Sequence, residues 1–163
     1  IKIIRNKVNK KGIKLAGLET CTKKTDFEPF LKDGCYDVVM PDVKYVGGPI
    51  KMVELANYIE KFGSEFSPHN PSGPICHAHS LQICGVIDSP VILEHQFDES
   101  TYFDELVSNN LPLIKNGKIK LSNDPGIGVK INKNLNIFKI ENNFKTQTKN
   151  VFANIADLSS QHN

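Results

Sequence analysis

Four titratable side chains stand at the ends of four apolar runs. Glu19 follows Leu15-Ala16-Gly17-Leu18, Asp42 follows Val39-Met40-Pro41, His69 follows Phe66-Ser67-Pro68, and Glu94 follows Ile92-Leu93. Carboxylates and imidazole are the groups with which proteins move protons, so the recurrence bears on chemistry. One such residue alone has a bland reading: a glutamate after a strand caps the next turn, and a histidine in a Pro/Gly loop is structural. Four at one end of one sheet read as a constellation. Other groups are discounted. His77 and His79 lie two apart, a spacing that does not face one site on a helix, and read as surface or packing residues. Lys44 reads as solvated, and Cys76 and Cys84 as small core hydrophobes. Gly47-Gly48 could present N–H groups to an anion, but a turn into the next helix is the commoner use of such glycines. His95, beside Glu94, reads as lining the mouth of the site.

The elements that must position these groups alternate. Ile1 to Lys11 carries a helical stripe at 1, 4 and 8 that Gly12 ends. Ile13 to Gly17 reads as a short strand. Thr25 is the expected N-cap of a helix through Leu31, closed by Gly34. Tyr36 to Met40 reads as a buried parallel strand. Pro49 or Ile50 to Phe62 is a helix with Met52, Leu55, Ala56 and Ile59 on one face. Glu65 to Ser67 is a brief strand, Ile75 to Ile87 a buried helix and Val91 to His95 a further strand. A short helix near 102–107 follows, then strand-like pieces at 113–121 and 128–131, with Asn116-Gly117 as a hairpin signal. From about Glu141 the chain is polar; Val151, Ile155 and Leu158 suit one amphipathic helix, and disorder fits equally. Alternation of this kind means a parallel sheet covered by helices, with any site at the carboxyl ends of the strands. A complete (β/α)8 barrel needs eight units and ~250 residues; here there are four units.

Composition narrows the partners. With 20 basic and 18 acidic groups the net charge is +2, too small for a strong footprint on nucleic acid or an anionic membrane. Arg5 is the only arginine, so forked recognition of phosphate has almost no material. No apolar run approaches the ~18 residues of a membrane helix. The four cysteines, Cys21, Cys35, Cys76 and Cys84, form no C-x-x-C pair, which fits a reducing cytoplasm.

Four segments carry a resemblance. Met40-Pro41-Asp42-Val43-Lys44-Tyr45-Val46-Gly47-Gly48 is similar to the aspartate-plus-Gly-Gly motif after the sixth barrel strand in the mandelate racemase branch of the enolase superfamily. Ser67 to Pro74 resembles the histidine loop after the seventh strand, in the form seen in acid-sugar dehydratases. Leu93-Glu94-His95 looks like the glutamate at the end of the eighth, and Asp124-Pro125-Gly126-Ile127-Gly128-Val129 like a stretch near the family's C-terminus. The muconate-lactonizing and dipeptide-epimerase branches carry a lysine where Asp42 stands.

The resemblance covers residues 1–132 and implies an α/β fold. That fold is the C-terminal half of a (β/α)8 TIM-type barrel, its last four βα units, plus a short C-terminal β extension. Residues 133–163 form an extension, partly helical or disordered. The implied roles are Glu19 as a Mg²⁺ ligand, Asp42 and His69 as a general-base dyad, and Glu94 as the hydrogen-bond donor to an enolate oxygen. His95 is a weaker candidate for substrate contact. One departure is Leu18, where the family usually has glycine.

The implied activity is Mg²⁺-dependent dehydration of an acid sugar: proton abstraction next to a carboxylate, then loss of water. The alternatives are racemisation of a 2-hydroxy acid and a catalytically idle, self-associating half-barrel. Because the chain opens on Ile1 and lacks the family's capping domain and first four strands, it reads as a fragment, inactive by itself. The open sheet edges of a half-barrel imply a homo-oligomer or pairing with the missing half, with no nucleic acid and no membrane as partner.

Overall fold

A computed structural model describes residues 1–89, 92–96, 103–108 and 111–133. The expected helix around Val151 to Leu158 lies outside them. In order come α1 (Lys2–Asn9), β1 (Ala16–Gly17), α2 (Lys24–Lys32), β2 (Val38–Val39), α3 (Pro49–Glu60), β3 (Glu65–Phe66) and α4 (Pro74–Val86), then a 3₁₀ turn (Asp104–Leu106) and a hairpin of β4 (Ile114–Lys115) and β5 (Lys118–Ile119).

β1, β2 and β3 form a parallel sheet in that order. Gly17, Val39 and Phe66 stand level across it, and all three are buried. They meet the inner faces of the helices, where Phe27, Leu31, Met52, Leu55, Ala56, Ile59 and Ile83 close the core. α3 packs on both β3 and α4. Gly17 has to be glycine: a Cβ there would lie 2.4 Å from the Tyr36 ring.

The other face of the sheet is open. Ala16 and Glu65 are exposed and Val38 is half-buried. β2 is therefore covered on one side only, not on both as its apolar run suggested; parallel strands are ordinarily covered twice. The stripe of α1 is open as well, with Ile3 at 73% and Ile4 at 55% exposure. α1 is tied down by Arg5, whose guanidinium meets the Asp37 carboxylate at 2.7 Å and the Gly34 carbonyl at 2.7 Å, and by the Asn9 amide, which donates to Asp37 at 3.1 Å.

Several boundaries shift for local reasons. α2 starts at Lys24 with Lys23, not Thr25, as N-cap. Asp26 reaches back to the N–H groups of Thr22 and Lys23 at 3.1 and 2.8 Å, and these bonds hold its carboxyl below the usual range. The expected fourth strand is absent: residues 92–96 make no backbone ladder, and Val91 lies outside the described residues. Ile92 is 79% exposed, so burial gives a ladder little support there. The segment is tied instead by the Ser67 hydroxyl, which donates to the Ile92 carbonyl at 2.6 Å, and by Asn70. The helix expected near 102–107 is a single 3₁₀ turn. Residues 128–131 contribute one antiparallel bridge, Val107 to Ile131, rather than a strand. Asn116-Gly117 does turn a hairpin, both residues with positive φ (51° and 70°), as its type I′ geometry requires.

Candidate active site

Register brings the dyad together. Val39 of β2 pairs with Phe66 of β3, and Asp42 and His69 each stand three residues beyond their paired strand residue. The ladder runs on past the strands: Ser67 N–H donates to the Val39 carbonyl at 3.1 Å and His69 N–H to the Pro41 carbonyl at 3.0 Å. Pro41 and Pro68, both fully buried, stiffen the two exits. The result is His69 Nδ1 at 3.1 Å from Asp42 Oδ2.

Asp42 is completely sealed, whereas the His69 side chain is 22% exposed. The carboxylate accepts from the Lys44 backbone N–H at 2.8 Å and lies 3.3 Å from Lys44 Nζ. Its buried charge is thus compensated, as a sealed charge must be. An ionised carboxylate only accepts hydrogen bonds, so Nδ1 carries the imidazole proton and Nε2 is left as the basic nitrogen. Lys44 is not merely solvated, as its type and position suggested; its ammonium bridges Asp42 and the Ser72 hydroxyl.

Glu94 joins this pair through the residue after His69. Asn70 N–H donates to Glu94 Oε2 at 2.9 Å, and Asn70 Nδ2 to the Glu94 carbonyl at 2.8 Å. Glu19 stands at the same end of the sheet, two residues past Gly17, half-buried. No hydrogen bond or ion pair among the described residues links it to the other three. Leu18 before it has φ +79°, the left-handed region that favours glycine, and its side chain is buried in the core. The glycine-type backbone of the resemblance is therefore retained on a leucine. Burial, and after it the charge of Glu19, raises the Tyr36 hydroxyl pKa.

Among the described residues no group of three or more His, Cys, Asp or Glu could hold a metal ion. The described residues therefore do not by themselves make a magnesium site. His95 packs its ring on His77 (centroids 4.6 Å apart) and Phe103 (6.4 Å), and its Nδ1 is buried without a partner among the described residues. His77 is a buried packing residue, and burial, then His95, lowers its pKa to about 4. Asn70 escaped the sequence reading; its signal was its place between His69 and Pro71 in a loop too short for an idle polar group.

The chain belongs to the enolase C-terminal domain-like family, whose pattern it matches over residues 3–135. Its α/β architecture is that family's barrel domain. It is similar to D-galactonate dehydratase from Pectobacterium atrosepticum, 28% identical over 133 residues, covering 78% of this chain and 35% of that protein. It is also similar to arabinonate dehydratase from Saccharolobus solfataricus, 26% identical, covering 73% and 31%. Among solved structures it resembles a member of the enolase superfamily from Salmonella Typhimurium, with TM-score 0.70 and 25% identity, covering 81% and 33%. The chain spans about a third of the length of the curated relatives it matches. No helix among the described residues is long and apolar enough to cross a membrane.

Proposed function

We propose that this chain is the part of an acid-sugar dehydratase that carries its general base. The observation behind the reading is the sealed Asp42 carboxylate set 3.1 Å from Nδ1 of a partly exposed His69. Asp42 fixes the tautomer, so His69 Nε2 takes the proton α to the substrate carboxylate. Glu94 has Oε2 engaged by the Asn70 N–H, which leaves Oε1 to carry a hydrogen toward the enolate oxygen as charge develops. The enolate's electron pair then forms the carbon–carbon double bond as the β-carbon–oxygen bond breaks, and the departing hydroxide takes the proton held by His69 and leaves as water. The two relatives' names favour dehydration of a sugar acid over racemisation of a 2-hydroxy acid. Glu19 is the one residue we assign to magnesium, as part of a larger donor set, and His95 the weakest candidate for substrate contact.

The test is a chimera in which this chain replaces the matching third of the Pectobacterium D-galactonate dehydratase. A folded chimera should consume acid sugars and lose that activity on His69→Asn. A folded chimera that is inert, or one indifferent to His69→Asn, overturns the reading.

A second reading, a self-associating half-barrel without catalysis, is favoured by the open sheet face and the exposed stripe of α1. Light scattering on the isolated chain decides its association: a dimer or larger species supports it, and a compact monomer removes it.

A further inference from the structure

Asn70 is 1% exposed, and its hydrogen bonds converge on one neighbour. Its main-chain N–H holds the Glu94 carboxylate and its amide nitrogen holds the Glu94 carbonyl. The second amide hydrogen points at His77 Nδ1, 2.8 Å away. The orientation of the amide is decided by chemistry. A carbonyl oxygen can only accept, so the group facing the Glu94 carbonyl is the NH₂. His77 Nδ1 then has to accept as well, which places the His77 proton on Nε2. A buried neutral imidazole suits that task; an imidazolium would set N–H against N–H. Asn70 Oδ1 is buried and has no partner among the described residues, so the amide is fixed from its donor side.

We propose that Asn70 is a positioning residue that holds Glu94 beside His69, and that neutral His77 is the acceptor that locks its amide. The role assigned to Glu94 rests on the dehydratase reading, but the lock itself is a statement about hydrogen bonds and is measured without activity. It explains why a histidine is buried at the first turn of α4 with its pKa held low, which neither the base nor the metal assignment requires.

Long-range ¹H–¹⁵N correlation of the histidine rings in the ¹⁵N-labelled chain tests it. At neutral pH His77 should show a single Nε2–H tautomer with Nδ1 as acceptor. The Asn70 amide proton should follow the titration of Glu94, and Glu94→Gln should abolish that response. In Asn70→Asp an acceptor faces His77, so its proton should move to Nδ1. In His77→Phe, which keeps an aromatic ring against His95, the response of the residue 70 amide to Glu94 should shrink. A His77 that is Nδ1–H, or averaged between tautomers, in the unsubstituted chain overturns the proposal. So does an unchanged Glu94 response in His77→Phe. An inert dehydratase chimera would leave these signals as they are, so the two readings fail separately.

Discussion

β2 has an aspartate at each end, and the two are held differently. Asp37, before Val38, meets Arg5 Nη2 at 2.7 Å and Nε at 2.8 Å, the Leu15 N–H at 2.7 Å and the Asn9 amide at 3.1 Å. Asp42, after Val39, has one main-chain N–H, a more distant lysine and the imidazole of His69. At the first end every partner ties α1 or β1 to the sheet. At the second, the carboxylate turns one oxygen to a histidine whose side chain is 22% exposed. Burial works to raise Asp37, but Arg5, Leu15 and Asn9 together hold it below the usual carboxylate range. The partners at the amino end tie helix and strand together, and those at the carboxyl end are the ones the proposed chemistry uses, the division expected of barrel proteins.

The largest effect that sharpens this contrast falls at the carboxyl end. In the chimera, Asp42→Asn or His69→Asn should lower turnover by about 10²–10⁴, the usual worth of a positioned base, while shifting the unfolding midpoint little. Turnover and denaturant midpoints, measured on the same preparations, check both halves. A variant that kept turnover and lost the fold would reverse the assignment.

Next in size is the amino end. Asp37→Ala removes the partner of Arg5, which is 28% exposed, and leaves the Leu15 N–H without an acceptor. A cost of about 2–4 kcal/mol is expected, between a partly exposed ion pair and a buried one. Urea unfolding of the isolated chain measures it. A cost under about 0.5 kcal/mol, the range of ordinary surface substitutions, would break the comparison.

How far these two ends could be foreseen differs for a physical reason. The meeting of Asp42 and His69 was legible, because each closes an apolar run and the paired register sets them opposite one another; the roles proposed for them, and for Glu19 and Glu94, rest on the resemblance. The helices were legible too, because Met52, Leu55, Ala56 and Ile59 mark a buried face that the core uses. What was not legible depends on side-chain reach. Asp37 interrupts an apolar run and carries no sign that Arg5, 32 residues earlier, will find it. Lys44 looked solvated because its stem hides where the ammonium goes. Asn70 and His77 meet only when a loop and a helix turn coincide. The fourth strand failed because apolar composition says nothing of whether a ladder partner is in register.

Acid separates the ends in a third way. The pKa of His77 is lowered from 6.5 to about 4, so its contribution to stability is fully present above 6.5. It is lost as pH falls from 6.5 to about 4, because the unfolded chain takes up a proton that the folded chain refuses. Asp37, also held below its ordinary 3.8, contributes above that value and loses its contribution only as pH falls below it. Unfolding midpoints of the isolated chain should therefore drop in two stages, the first absent in His77→Phe and the second reduced in Asp37→Ala, since Asp26 and Glu28 are also held below their ordinary range. A single stage below pH 4 would mean that His77 is solvated.

The smallest effect is the one most able to embarrass the comparison. Lys44→Ala removes an ammonium 3.3 Å from Asp42, but the lysine side chain is 40% exposed, and pairs of that kind contribute about 0–1 kcal/mol. The stronger contact, the residue 44 main-chain N–H on Oδ1, survives the substitution because it belongs to the backbone. Arg5→Ala, by contrast, removes side-chain bonds to both Asp37 and Gly34 and has no backbone substitute. The expected order in urea is therefore a clear loss for Arg5→Ala and almost none for Lys44→Ala. If Lys44→Ala proved as costly as Arg5→Ala, the buried charge of Asp42 would depend on its lysine. The carboxyl end would then be a structural ion pair that happens to touch a histidine.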